Sequence, residues 1–161
     1  HLERGDVETA IKRFNQAWSM HPDNASALWG MAIVQTLRAQ SLEPTDDQTL
    51  TRMNSAVELI AEAIALPEPD ASMLTDAAWI VATRGGLRRF RRVGLEGQDF
   101  AAAEDLLQQA EAWEKHPRIY EIWAALERYR GDEEKAKEWE LKAEELAKDL
   151  GYTNAPPQDE P

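Results

Sequence analysis

The chain has 161 residues, which favours a single domain, and 43% of them are hydrophobic, so a folded core is expected. Asp and Glu outnumber Lys and Arg by 30 to 18, which gives a formal charge of −12 at pH 7. This balance argues against nucleic acid or an anionic membrane surface as the main partner, because both need a basic face. The absence of Cys excludes disulfides, thiolate metal sites and a cysteine nucleophile. No apolar run approaches the roughly 18 residues of a membrane span, so we predict no membrane insertion by this segment.

Apolar residues recur at steps of three and four positions along most of the chain, which is typical of amphipathic α-helices. Stretches rich in Pro, Gly and Asp interrupt the pattern, and no alternating β-branched run indicates a strand. The sequence therefore predicts an all-α fold of seven helices. In chain order they are predicted over residues 6–20, 25–40, 56–64, 71–83, 103–113, 118–130 and 132–150.

We predict one helical domain over residues 1–151 and a flexible, Pro-rich acidic tail over residues 152–161. Pro156 and Pro157 cannot continue a helix, and chain ends of this composition are rarely tied down.

Four of the predicted helices share one spacing of small and large residues, which indicates an internal repeat. Small residues at two places on a helix let a neighbouring helix approach closely, and a large residue between them fills the gap. The paired alanines are Ala10 and Ala17, Ala56 and Ala63, Ala103 and Ala110, and Ala136 and Ala143.

Two parts of the chain carry a resemblance to the tetratricopeptide repeat family. They are residues 5–24, with Gly5, Ala10, Phe14, Ala17 and Pro22, and residues 118–132, with Tyr120, Trp123, Ala124 and Gly131. The resemblance extends over residues 4–150 and is weaker in the two middle units. It implies a right-handed superhelix of stacked helical hairpins.

The repeat period departs from the family pattern in the middle of the chain. The leading alanines of successive units lie 46, 47 and 33 residues apart, against an expected period of about 34. Insertions are therefore predicted near residues 40–52 and 84–98. For the second insertion we predict a lengthened first helix, because Leu87, Phe90 and Val93 continue its spacing despite Gly85 and Gly86. For the first, a lengthened first helix and a protruding loop both remain open.

Stacked hairpins of this family usually bind peptides or protein segments in a concave groove lined by the first helix of each hairpin. The resemblance thus implies a non-enzymatic protein-interaction module or scaffold, whose partner is a protein or peptide of unknown identity. The groove residues that it implies are Ser26, Trp29, Ile33, Leu37, Ser72, Thr75, Asp76, Trp79, Arg118, Glu121, Ile122, Arg128 and Tyr129.

The six Trp residues have two possible roles, in the core or as binding residues. We expect Trp18, Trp113, Trp123 and Trp139 to pack between helices. For Trp29 and Trp79 both roles remain open.

A cluster of five arginines stands out in this acidic chain, and we call it the arginine patch. Its members are Arg84, Arg88, Arg89, Arg91 and Arg92. Guanidinium groups suit carboxylates and phosphates, so one prediction is a docking patch for an acidic partner. The other is neutralisation by the chain's own Asp and Glu residues, or simple solvation. The alternative function is therefore self-association or assembly through the inserted segments and this patch, and a homodimer is possible.

Enzymatic activity is not expected, because no recognisable catalytic constellation is present. The chain has three His residues, with no metal-ligand spacing, and no phosphate-binding Gly-rich loop. We therefore predict no cofactor and no metal. The run over residues 13–18, followed by Leu28, Trp29 and Gly30, is similar to bacterial exported repeat proteins, some of them lipid-anchored. That local likeness favours the bacterial cell envelope, in the periplasm, over the cytoplasm.

Overall fold

The structure, a computed structural model, describes residues 4–21 and 24–152. Within these ranges the chain forms seven helices and no strand, which confirms the predicted all-α class. The helices are α1 (Arg4–Met20), α2 (Ala25–Gln40), α3 (Asp47–Ala65), α4 (Ala71–Arg91), α5 (Glu96–Trp113), α6 (Pro117–Arg130) and α7 (Glu133–Asp149). Among these seven, none is both long and apolar enough to cross a membrane. Apart from Tyr152, the predicted tail lies outside the described residues.

Short polar side chains start most of the helices by accepting hydrogen bonds from free backbone N–H groups. Asn24 caps α2, Asp70 caps α4 and Asp132 caps α7, each bonding the N–H three residues ahead. Accepting the Lys135 N–H holds the pKa of Asp132 below its ordinary value. Gly131 ends α6 in the left-handed conformation that glycine adopts most easily, with φ of 88°.

The helices pack most extensively as three hairpins, α2 with α3, α4 with α5 and α6 with α7. Their links are short, so paired helices run antiparallel. The first helices of these hairpins also touch one another, since α4 contacts both α2 and α6. We call α2, α4 and α6 the first-helix row.

The core lies where the hairpins meet, and the alanines of the repeat pattern contribute to it. Ala56, Ala63, Ala103, Ala110, Ala136 and Ala143 are all buried. They allow close approach of neighbouring helices, while larger side chains fill the space between them. Among the residues whose burial the structure describes, the largest apolar side chains that are fully buried are Met53, Ile60, Ile80, Leu107, Ile119 and Leu126.

The insertion predicted near residues 84–98 does lengthen a helix, because α4 continues through both glycines to Arg91. Gly85 and Gly86 admit aromatic rings from neighbouring helices. A Cβ atom on Gly85 would lie 2.6 Å from Phe100 Cε1, and one on Gly86 would lie 2.5 Å from Tyr129 Cδ1. The glycines are therefore packing residues and do not break the helix.

The insertion predicted near residues 40–52 is divided between a turn and the second helix of its hairpin. After α2 ends at Gln40, a short turn leads to α3, which begins at Asp47 and has 19 residues. Asp46 caps α3 by accepting the Gln48 N–H. Neither a longer first helix nor a protruding loop describes this segment fully.

The structure places the Trp residues in different environments. Trp123 is buried and stacks on the half-buried Trp139, with 5.1 Å between ring centroids. Trp29 and Trp79 are half-buried against the core. The packing prediction is wrong for Trp113, which is 69% exposed because it is the last residue of α5. The predicted packing of the Trp18 side chain lies outside the described residues.

Candidate protein-binding surfaces

One predicted groove residue from each helix of the first-helix row meets at a buried carboxylate. Asp76 in α4 is 5% exposed, and the Trp29 indole N–H of α2 donates to its Oδ2 at 2.8 Å. Arg118 Nη2 of α6 lies 2.5 Å from Asp76 Oδ1 in an ion pair, although its angle is not that of a hydrogen bond. The three side chains thus connect all three helices of the row.

Burial governs the ionisation of this carboxyl group. Burial raises the pKa of Asp76 above its ordinary value, and nearby Asp70 adds to the effect. The Arg118 charge and the Trp29 hydrogen bond act in the opposite direction, but they do not cancel the cost of burial.

Two cavities flank Arg118, and both include His116 and Arg118 in their walls. The smaller has a volume of about 140 Å³, and its other lining residues are Ala71, Ser72, Thr75, Glu114 and Ile119. The larger, about 650 Å³, lies between α6 and α7. Its other lining residues are Pro117, Glu121, Glu140, Ala143, Glu144, Ala147 and Tyr152. Four predicted groove residues, Ser72, Thr75, Arg118 and Glu121, therefore line two adjoining cavities.

The surface around these cavities is acidic. Arg118 is engaged with Asp76, and Glu140 pairs with Arg128 at 2.5 Å. Within the described part of the chain, the three exposed carboxylates Glu114, Glu121 and Glu144 have no hydrogen bond or ion pair. Such a surface attracts cationic groups. We call the lining of the two cavities the acidic surface.

The other predicted groove residues lie elsewhere on the first-helix row. Ile122 is buried in the core, so it is wrong as a groove residue. Ile33, Trp79 and Tyr129 are half-buried and pack against the core. Ser26 is exposed and Leu37 is half-buried. Arg128 is exposed and pairs with Glu133 and Glu140 of α7.

Most of the arginine patch has partners inside the protein. Arg84 donates to both oxygens of Asp99, at 2.7 and 3.2 Å, and Arg88 donates to Oδ2 at 3.1 Å. Asp99 is 3% exposed at the start of α5, so these bonds join α4 to α5. Arg91 reaches Asp47 of α3 at 2.8 Å.

The remaining two arginines of the patch have no carboxylate partner in the described ranges. Arg89 donates to the Arg130 backbone carbonyl, and its side chain is otherwise exposed. Arg92 ends α4 in the left-handed conformation, with φ of 55°, and is exposed. The patch is thus partly neutralised, and these two guanidinium groups retain unused donors.

An apolar cleft that the sequence did not predict lies beside the arginine patch. It has a volume of about 370 Å³. Its walls are Ala39, Gln40, Leu42, Pro44, Thr49, Met53, Thr83, Gly86, Leu87, Phe90 and Tyr129. Phe90 is 62% exposed, and Val93 and Leu95 are exposed in the following α4–α5 turn. We call this cavity the apolar cleft.

Comparisons with known proteins place the chain in no family. No protein-family model matches it, and neither the curated proteins nor the solved structures contain a match. In the ranges described, no group of three or more His, Asp or Glu side chains is placed to hold a metal ion.

Proposed function

We propose that the chain is a non-enzymatic protein-interaction module with a tetratricopeptide-like superhelix, and that it binds an extended protein segment along its first-helix row. One observation carries this proposal. Ser72, Thr75, Arg118 and Glu121, implied by the family resemblance as groove residues, line two cavities that adjoin at Arg118.

The size and order of the cavities favour an extended segment. Two cavities that share His116 and Arg118 can receive successive side chains of one strand-like or irregular peptide. The Asp76 ion pair holds the half-exposed Arg118 side chain between them. Arg118 can then donate its remaining N–H groups to a backbone carbonyl of the segment.

The charge of the acidic surface determines which kind of partner segment it favours. Glu114, Glu121 and Glu144 offer three exposed carboxylates around the cavities. A partner segment that carries Lys or Arg side chains complements them, and the net charge of −12 assists its approach. We therefore expect a basic segment as the natural ligand of the acidic surface.

Selection from a random peptide library displayed on phage tests this function. Peptides selected on the wild type should be enriched in Lys and Arg, and they should lose binding to a Glu121→Lys/Glu144→Lys variant. A Glu138→Lys/Glu145→Lys variant has the same net charge, and its substitutions lie on α7 away from both cavities. This control should keep binding, with helicity of both variants checked by circular dichroism. Equal binding to the two variants would rule out the acidic surface.

A second candidate function is assembly through the inserted segments. The exposed apolar side chains of Phe90, Val93 and Leu95 favour it, because such side chains clustered at one turn often mark interaction sites. Sedimentation of the wild type and of a Phe90→Ser/Val93→Ser variant tests self-association. A dimer that the variant abolishes supports a homodimer through this turn, and a monomeric wild type at all concentrations excludes it.

A further inference from the structure

The α4–α5 turn holds an unusual backbone conformation. Arg92, Gly94 and Leu95 all have positive φ, at 55°, 80° and 68°. Positive φ is unfavourable for residues with a Cβ atom, and such strain is concentrated at functional sites. The side chains of Val93 and Leu95 in this turn are exposed, as is that of Phe90 in the preceding helix. Glycine in place of Arg92 and Leu95 would adopt the same backbone conformation without strain. This segment therefore departs from what stability alone favours.

The apolar cleft beside this turn has a fixed floor and an exposed rim. Met53 and Thr49 of α3 form buried walls, and Leu87 of α4 is half-buried. Tyr129 of α6 is held in place by its close approach to Gly86. A volume of about 370 Å³ accommodates one or two large apolar side chains, at the lower end of ligand-pocket sizes. Phe90 stands at the rim, where an inserted side chain would contact it.

The charges beside Phe90 in the sequence specify what flanks the inserted side chain. Arg89 directly precedes Phe90 and Arg92 follows it by two residues, although neither lines the cleft itself. Arg84 and Arg88 already form ion pairs with Asp99, and Arg91 forms one with Asp47. Arg89 and Arg92 have no carboxylate partner among the residues that the structure describes. In a chain with a net charge of −12, this is a local surplus of positive charge. Carboxylates of a partner therefore complement this rim.

Two other occupants fit these observations less well. A second copy of the chain also carries a charge of −12, so its approach is opposed by the net repulsion of two acidic molecules. An anionic membrane needs a broad basic surface, but within the described ranges only Arg89 and Arg92 of the arginine patch lack a carboxylate partner. A membrane surface would also leave the concave cleft unfilled.

We propose that the apolar cleft binds a partner segment that inserts a large apolar side chain between α2, α3 and α4. Asp or Glu residues that flank this side chain bind Arg89 and Arg92. This proposal goes beyond the proposed function, because it depends on neither the acidic surface nor self-association.

Matched synthetic peptides test the proposal. Both have nine residues, blocked ends and a central Leu-Phe-Leu core, flanked by three Asp residues on each side in one and by three Lys residues in the other. Binding is followed by two-dimensional ¹H–¹⁵N NMR of the labelled protein, which detects affinities as weak as millimolar. The acidic peptide should shift the amides of Gly86, Leu87 and Phe90, and it should bind at least about tenfold more tightly than the basic peptide. Its affinity should fall as salt is added.

Two variants separate the parts of the site. Phe90→Ala should weaken the acidic peptide by about tenfold, because an exposed aromatic contact is lost without disturbing the core. Arg89→Ala/Arg92→Ala should reduce the preference for the acidic peptide and its salt dependence. Lys137→Ala/Lys148→Ala removes the same charge from exposed positions on α7 and should leave binding unchanged.

Several results would overturn the proposal. They are the absence of binding, equal binding of both peptides, or shifts confined to the acidic surface. Concentration-dependent shifts of the cleft residues without peptide would instead identify a second copy as the occupant. Binding to vesicles rich in phosphatidylserine, without binding to either peptide, would identify a membrane. None of these results decides the function of the acidic surface, which the phage selection tests independently.

Discussion

Two buried aspartates in this chain have different surroundings and, as a result, different roles. Both oxygens of Asp99 accept hydrogen bonds from arginines, and the carboxylate joins α4 to α5. Asp76 accepts one hydrogen bond and faces a half-exposed arginine across its other oxygen. We therefore assign Asp99 to stability and Asp76 to the positioning of Arg118.

Asp99→Ala should lower the free energy of unfolding by about 3 kcal/mol, because it leaves two half-buried guanidinium groups without their partner. Urea denaturation followed by circular dichroism measures the change. Asp105→Ala, at an exposed position on the same helix, should change stability by no more than about 0.5 kcal/mol. Similar losses in both variants would contradict a structural role for Asp99.

The raised pKa of Asp76 predicts a pH-dependent contribution to stability. The folded protein takes up a proton at this carboxyl group at a higher pH than the unfolded chain, whose pKa is near the ordinary 3.8. The contribution of Asp76 therefore becomes more favourable as the pH falls through its folded-state pKa, and it is lost as the pH rises through it. Asp76→Asn keeps an acceptor for Trp29 but cannot titrate.

Denaturation of the wild type and of Asp76→Asn across the acidic pH range measures this contribution. The wild type should gain stability relative to the variant as the pH falls towards about 4. The other carboxylates titrate in both proteins, so their effects cancel in the difference. A difference that is constant with pH, or that changes in the opposite direction, would contradict the assignment.

The boundaries of the helices follow from patterns that the sequence shows only in part. The length of α4 is predictable because Leu87 and Phe90 keep its apolar spacing beyond the two glycines. The early start of α3 is also marked, by Leu50 and Met53 in the spacing of the later helix and by Asp46 as its cap. That signal is weaker than the one in α4, because the polar residues around Leu50 and Met53 are also typical of a loop.

Close approach of α4 and α5 depends on the absence of a side chain at one position. Gly85→Ala should destabilise the fold by about 1–3 kcal/mol, since the new methyl group would overlap the Phe100 ring. Gly97→Ala in α5 is the matched control, because nothing lies within 4 Å of the added atom. It should stabilise the protein by about 0.5–1 kcal/mol through helix propensity. Thermal denaturation of both variants compares them, and a neutral Gly85→Ala would show that the helices can separate without cost.

For the molecule as a whole, the fold class could be predicted from periodicity, but the sites only in part. Helical periodicity identifies the residues that share one face of a helix. The family resemblance implied Ser72, Thr75, Arg118 and Glu121 as groove residues, and the structure places them in α4 and α6, where they line two adjoining cavities. The pairing of Arg84 with Asp99 depends on how two helices pack. The apolar cleft depends on three helices and on Tyr129, and no local pattern encodes such a convergence.

The central claim is that a basic protein segment binds at the acidic surface of the first-helix row. A ¹H–¹⁵N NMR titration with a peptide selected on the wild type tests it most directly. Our account predicts shifts at Ser72, Thr75 and Glu121, and at the Trp29 indole N–H, which reports on Asp76 through their hydrogen bond. Shifts confined to residues outside the two cavities, with the Trp29 indole unchanged, would contradict it.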